Sequence, residues 1–148
     1  YTHKGEVPEG EYLIPFGKAD IKREGEDVTV VAIGPMVQKS LEAAVLLEDE
    51  GYDIEIVDPR TLSPLDTETI CESVRKTGRV VVCGEDSSFA GSVSEIAAMI
   101  AESCFSDLKA PVVRVGSPHV PMPFSAELVK HVVPEAANDV SAVNRVMN

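Results

Sequence analysis

The sequence predicts an α/β domain built on a mostly parallel sheet with helices packed on both faces. Two observations carry this. Four β-branched runs alternate with segments of helical period, the order expected of right-handed strand–helix–strand crossovers. The chain is also 44% hydrophobic yet only 5% aromatic, with no tryptophan, so its core must be drawn from Val, Ile, Leu and Ala. That palette suits strands buried on both sides. A length of 148 residues allows one domain around one core.

Residues 1–26 read as a polar lead-in punctuated by Gly5, Pro8, Gly10, Pro15 and Gly17, with one short strand at Tyr12–Ile14. The domain proper occupies 27–148. "DVTVVAIG" (27–34) is a strand ending at Gly34. In the helix that follows, Val37, Leu41, Ala44, Val45 and Leu47 recur at helical spacing, and Gly51 holds the C-terminal cap position. Pro35 fits the first turn of that helix, where a missing N–H costs nothing. "DIEIVD" (53–58) alternates as a second strand. A helix then runs from Asp66, its N-cap, through an acidic first turn to Lys76. "GRVVVCGE" (78–85), "VSEIAAMIAESCF" (93–105) and "APVVRVGS" (110–117) read as strand, helix and strand. "SAELVKHVV" and "ANDVSAVNRVMN" close the chain as helical segments separated by Pro134.

Thirteen Lys and Arg against 25 Asp and Glu give a formal net charge of −12. That balance repels nucleic acid and anionic membrane surfaces and favours basic partners. No apolar run is long enough to span a bilayer, and no signal-peptide pattern is present. Cys71, Cys83 and Cys104 lack metal-ligand spacing and read as reduced, mostly buried thiols. These features predict a soluble chain of the cytoplasm, or of the mitochondrial matrix in a eukaryote. The start "YTHKGEVPEGEY", without Met, predicts a piece of a longer chain.

Open α/β sheets bind ligands beyond the carboxyl ends of their strands. "AIGPMV" has a single glycine there, too few to converge N–H groups on a phosphate. "GEDSSFAGSVSEI" puts Ser87 and Ser88 beside Glu85 and Asp86, without the elbow that a serine nucleophile needs. The acidic pair can instead cap the next helix or hold a partner's cation. His3, His119 and His131 show no metal-ligand spacing. His131 falls on a helical segment, whereas His119 sits in "SPHVPMPF", a loop stiffened by Pro118, Pro121 and Pro123. Such a loop either holds side chains at an interface or simply turns the chain. "VDPRTLSPLD" (57–66) reads as a joint: Arg60 is free to pair with a carboxylate, Pro64 stops the strand and Asp66 starts the helix.

Three stretches together, "GEVPEGEYLIPFGKADIKREGEDVTVVAIGPMV", "VDPRTLSPLDTETICESVRKTGRVVVCGED" and "VPMPFS", resemble one family. They are similar to the C-terminal domain of the β subunit of thiamine-diphosphate-dependent 2-oxoacid dehydrogenases. These are the E1 components of the pyruvate, branched-chain 2-oxoacid and acetoin dehydrogenase complexes. The last domains of transketolase and deoxyxylulose-phosphate synthase are more distant relatives. The resemblance covers essentially the whole chain. It implies a three-layer α/β/α sandwich like the transketolase C-terminal domain, with a mixed five-stranded sheet, mostly parallel. The additional strand is expected at or near Tyr12–Ile14.

The resemblance also implies a division of labour. Thiamine diphosphate and Mg belong to the whole enzyme, between the α subunit and a preceding pyrimidine-binding domain of the β subunit. That domain carries the cofactor-activating glutamate and would precede residue 1. The present chain then supplies no catalytic, cofactor or metal residue. Its implied role is assembly, with an E1 α subunit and a second β subunit, and docking of the basic peripheral subunit-binding domain of E2. The whole enzyme would decarboxylate a 2-oxoacid oxidatively and pass the acyl group to lipoyl-E2. Candidate interface residues are Arg60, Pro64, Asp66, Glu85, His119, Pro121 and Pro123. Family location adds Glu102, Asp107 and the carboxylate of Asn148.

Three positions depart from the family pattern: Ala90-Gly91-Ser92-Val93 replaces a Gly-Gly-x-Gly stretch, Gly84 replaces a His or Glu, and His119 replaces a common Asp. Two other readings remain open at this point. One is a free-standing doubly wound domain binding a small anion at its strand ends. The other is a small hydrolase using Ser87 or Ser88.

Overall fold

Residues 5–148 are described by a computed structural model. The strands are Asp20–Arg23 (β1), Val28–Ala32 (β2), Ile54–Asp58 (β3), Val80–Ser87 (β4) and Val113–Ser117 (β5). Helices span Met36–Asp49 (α1), Thr67–Thr77 (α2), Ser92–Ser103 (α3), Ala126–Val129 (α4) and Ala136–Met147 (α5). The sheet order is β1-β3-β2-β4-β5, parallel throughout except that β1 runs antiparallel to β3. The five-stranded, mixed α/β/α sandwich is thus present as expected.

Alternation along the strands sorts the core into two layers. Val28, Val30 and Ala32 of β2 pack with Met36, Ala44 and Leu47 of α1 and Val143 and Val146 of α5. Val31, on the other face, packs with Ile70 and Val74 of α2 and Val93, Ile96 and Ile100 of α3. Each Val, Leu, Ile or Met among them contributes roughly 1.5–3 kcal/mol when fully buried. A net hydrogen bond contributes only about 1 kcal/mol, so the apolar layers dominate. All three cysteines are buried free thiols, as their spacing suggested.

The helix ends follow local chemistry. Gly51, at φ +87°, turns the chain after α1, and its N–H donates to Glu48 O at 3.0 Å. Asp66 caps α2 by accepting from Thr69 N at 3.2 Å. Its other oxygen accepts from Ala19 N at 3.0 Å, which ties the lead-in to the helix. Burial alone would raise the Asp66 pKa, but these bonds, those from Thr69 and the nearby Lys18 ammonium hold it below the usual carboxylate value.

Two expectations need correction. Tyr12-Leu13-Ile14 is exposed and irregular, and the fifth strand lies at Asp20–Arg23. That strand is a charged edge strand with no apolar alternation to reveal it. The turn after it places Gly25 against β3, where a Cβ would lie 2.3 Å from the Ile54 carbonyl carbon. The expected helix at 125–133 shrinks to the single turn α4. Ala126 and Leu128 are exposed and Val132 and Val133 only half-buried, so no apolar face is seated on the sheet to prolong it.

Three polar clusters cross the interior. Thr29 Oγ1 lies 2.7 Å from Ser73 Oγ and 2.9 Å from Thr77 Oγ1, joining β2 to α2. Glu55 of β3 is 1% exposed and accepts from Lys76 of α2. Ser40 of α1 donates to Asp139 Oδ2 of α5 at 2.7 Å and lies 3.3 Å from Cys83 Sγ of β4. Burial raises Asp139 to about 6 from an ordinary 3.8, only partly offset by Ser40, Cys83 and Lys39. Its Oδ1 has no hydrogen-bond partner.

Two outcomes are expected. The folded state holds the Asp139 proton more tightly than the unfolded chain does. Its contribution to stability is therefore fully present below pH 3.8 and lost as pH rises through about 6. Asp139→Asn should gain on the order of 2–3 kcal/mol relative to the parent between pH 3.5 and 7.5 in urea melts. A pH-independent difference would contradict this. Asp66→Ala removes both the α2 cap and the anchor of the lead-in, and should cost about 1–3 kcal/mol by the same measurement.

Candidate assembly surfaces

The candidate residues fall at two opposite ends of the sheet. Arg60, Pro64, Asp66, Glu85, His119, Pro121 and Pro123 lie at or beyond the carboxyl ends of β3, β4 and β5. Glu102, Asp107 and Asn148 lie at the other end, because α3 and α5 return antiparallel to the strands. Two contacts fix that end: Lys109 N donates to Gly78 O at 2.7 Å, and Arg79 Nε donates to Val146 O at 3.1 Å. Both Gly78 and Arg79 immediately precede β4.

At the carboxyl end, Arg60 takes a left-handed backbone at φ +57°, and its N–H donates to Asp58 Oδ1 at 2.9 Å. The guanidinium meets Asp20 Oδ2 at 2.6 Å, the carboxylate partner expected of it. Lys22, 2.5 Å from the same oxygen, is the main cause holding the Asp20 carboxyl below its usual value, and Arg60 adds to it. Thr61 Oγ1 donates to Pro64 O at 2.7 Å and accepts from Gly17 N at 3.0 Å, so the lead-in is pinned on the loop. Together with the Asp66 cap, these bonds make the stretch a joint between β3, β1, α2 and the lead-in. Ile14, Phe16, Ile33, Pro59 and Leu62 line an apolar cleft of about 440 Å³ beside it.

The loop after β4 is ordered by Asp86, whose Oδ2 accepts from both the N–H and the hydroxyl of Ser92 at the start of α3. One of the two acidic residues therefore caps the next helix. Gly91 makes this possible, since a Cβ there would lie 2.2 Å from Ser87 O. Ala90 takes the left-handed conformation at φ +55° where the family pattern has glycine. Glu85 is half-buried, 3.9 Å from Lys39 Nζ. The Ser87 hydroxyl accepts from Phe89 N at 3.1 Å. Among the described residues neither Ser87 nor Ser88 has a histidine hydrogen-bond partner, so the hydrolase reading lacks its base. His119 is exposed and stands against Phe89, with ring centroids 4.8 Å apart and planes tilted 54°. Pro121 is exposed and Pro123 half-buried.

Several exposed apolar side chains lie at this same end, and Phe105 at the opposite end is 79% exposed. Phe16 is 84% exposed, Phe89 65%, Met122 58% and Phe124 fully, with Leu62 and Val120 beside them in the chain order of these loops. Sequence reasoning did not single out Phe89 or Phe124. The available signal was an aromatic residue inside a polar or proline-rich loop. At the opposite end Glu102 and Asn148 are exposed, and Asp107 lies 3.8 Å from Arg75 Nε. Among the described residues no group of three or more His, Cys, Asp or Glu is placed to hold a metal ion. No helix among them is long and apolar enough to cross a membrane. His3 lies outside the described residues.

Comparison with known proteins matches these features to one family. The profile of the transketolase C-terminal domain matches residues 17–138. The β subunit of acetoin:2,6-dichlorophenolindophenol oxidoreductase from Cupriavidus necator is 48% identical over 99% of this chain, which covers 44% of that subunit. The β subunit of the pyruvate dehydrogenase E1 component from Bacillus subtilis is 49% identical over 84% of this chain, which covers 38% of it. A solved structure titled split gene transketolase, an inactive β4 tetramer, superposes with a TM-score of 0.80 at 36% identity. That match takes in 97% of this chain and 45% of the transketolase chain. The chain thus spans less than half the length of these relatives. It belongs to the transketolase C-terminal domain family and is homologous to the β subunits of E1 enzymes.

Proposed function

We propose that this chain is the assembly domain of an E1 β subunit in a 2-oxoacid or acetoin dehydrogenase complex. The observation that carries the proposal is the set of exposed apolar side chains on the loops at the carboxyl end of the sheet, Phe16, Leu62, Phe89, Val120, Met122 and Phe124. Large apolar groups gathered on one end of a chain this acidic favour burial against another protein surface. The joint at Arg60–Asp66 and the Asp86 cap order the loops that carry Phe16, Leu62 and Phe89. This end packs against the rest of the β subunit, the E1 α subunit and a second β subunit.

The opposite end, with Glu102, Asp107 and Asn148, docks the basic peripheral subunit-binding domain of E2. A net charge of −12 steers that encounter over distances of about a Debye length. Thiamine diphosphate and Mg²⁺ are held elsewhere in the whole enzyme. That enzyme decarboxylates its 2-oxoacid and transfers the acyl group to lipoyl-E2, in the cytoplasm or the mitochondrial matrix.

Each end makes its own prediction. Phe124→Ser with Met122→Ser should leave the stability of this chain within about 0.5 kcal/mol, because both side chains are already solvated. The same pair should prevent co-purification of the full β subunit with its α subunit. Normal assembly with the doubly substituted subunit would sink the role assigned to this end. Glu102→Lys with Asp107→Lys should weaken calorimetric binding of the E2 module by about tenfold or more, with a shallower salt dependence. Unchanged affinity would remove docking from this end of the sheet.

A further inference from the structure

We infer that the cleft between β5 and α5 binds a small phosphorylated anion. The cavity holds about 570 Å³, within the range of small-molecule sites. Arg114 of β5, Lys130 and His131 just after α4, and Asn138, Ser141 and Arg145 of α5 line it. No Asp or Glu lines it, although the chain carries 25 acidic residues against 13 Lys and Arg. A cleft walled at random from this composition would be acidic.

The wall is organised. Asn138, Ser141 and Arg145 are spaced by three and four residues, so they share one face of α5. The Arg114 guanidinium is held on the α3 side, donating to Ser88 O at 2.9 Å and Ser94 Oγ at 2.8 Å, so the basic side chains on the α5 side are those of Lys130, His131 and Arg145. Asn138 Oδ1 accepts from Glu135 N at 2.8 Å, leaving its amide N–H groups as donors. β5 is the last strand of the sheet, so one side of its main chain has no ladder partner.

The neighbouring carboxylates are committed elsewhere. Glu127 accepts from Lys130 at 2.9 Å in an exposed pair that an arriving anion can displace, since such pairs contribute little. Glu135 lies 3.3 Å from Lys39 Nζ on the α1 side. Asp139 is turned inward to Ser40. Arg145 makes no ion pair among the described residues, although a guanidinium offers a two-pronged donor suited to phosphate oxygens. The cleft is open to solvent, with Lys130, His131, Asn138, Ser141 and Arg145 all exposed, so a compact multiply charged group can reach them without rearrangement of the strand or helix. This inference stands apart from the assembly reading and fails or survives independently of it.

The test is calorimetric titration of the 148-residue chain with inorganic pyrophosphate, at low and at physiological salt. The parent, Arg145→Glu, Lys130→Ala and Lys22→Ala are compared, with thermal unfolding confirming that each is folded. Saturable binding that weakens with salt is expected. It should drop about tenfold or more in Arg145→Glu, fall in Lys130→Ala and stay unchanged in Lys22→Ala on the far edge. Lys130→Ala alone decides the matter if Arg145→Glu does not fold. Absence of saturable binding overturns the proposal, as does an equal loss in Lys22→Ala, which would report net charge only. Sedimentation of the parent and Arg145→Glu adds one further outcome. A change in self-association without pyrophosphate binding would assign the cleft to an acidic segment of a second copy and overturn the small-ligand site.

Discussion

Burial of β2 on both faces is the constraint from which the other features follow. Its residues Val28 to Ala32 are all fully inaccessible, with parallel partners on either side. A strand in that position can expose neither side chains nor backbone, so helices must cover both faces. The faces are then spent on stability. What remains for recognition is the loops at the two ends of the sheet and the clefts along its edges. The separation of the candidate residues into two distant sets is a direct result, because each crossover returns the chain to the opposite end before the next strand.

Within that apolar frame, polar groups are admitted where they join one layer to another. The hydroxyls of Thr29, Ser73 and Thr77 satisfy one another between sheet and helix. The Glu55–Lys76 pair spans the same layer, and removing one member would leave the other poorly compensated. Glu55 Oε1 and Asp139 Oδ1 are each left without a hydrogen-bond partner, but only Glu55 has a cation bonded to its other oxygen. Burial also pushes the Cys83 thiol well above its usual value, with Asp139 adding to the effect, so this cysteine is a packing residue and not a nucleophile.

The central architecture was legible because buried parallel strands must be written in β-branched residues, as in "VTVVA" and "VVVC". β1 was not, because an edge strand of Asp, Ile, Lys and Arg owes its place to partners remote in sequence. Arg60 and Asp53 hold it, and no local spacing announces them. The same limit applied to the surfaces. That Arg60 needed a carboxylate was readable, but that Asp20 would supply it was not. Asp66 as a cap was readable, because capping is decided within three residues. Asp139 shares its helix face with Ala142, Val143 and Val146, and a carboxylate within an apolar stripe was a signal that went unused.

The charged character of β1 has a consequence for how this molecule meets others. A short strand carrying Asp20, Lys22 and Arg23 is a poor template for another chain's backbone, and the Arg23 guanidinium already donates to the Ile54 carbonyl. At the opposite border, the exposed Arg114 of β5 and the segment after α4 crowd the other flank. Sheet extension, the route by which α/β proteins misassemble into ribbons, is discouraged on both sides. Contacts are left to side chains at the strand ends, where shape and charge can discriminate among partners. A main-chain ladder would accept almost any sequence.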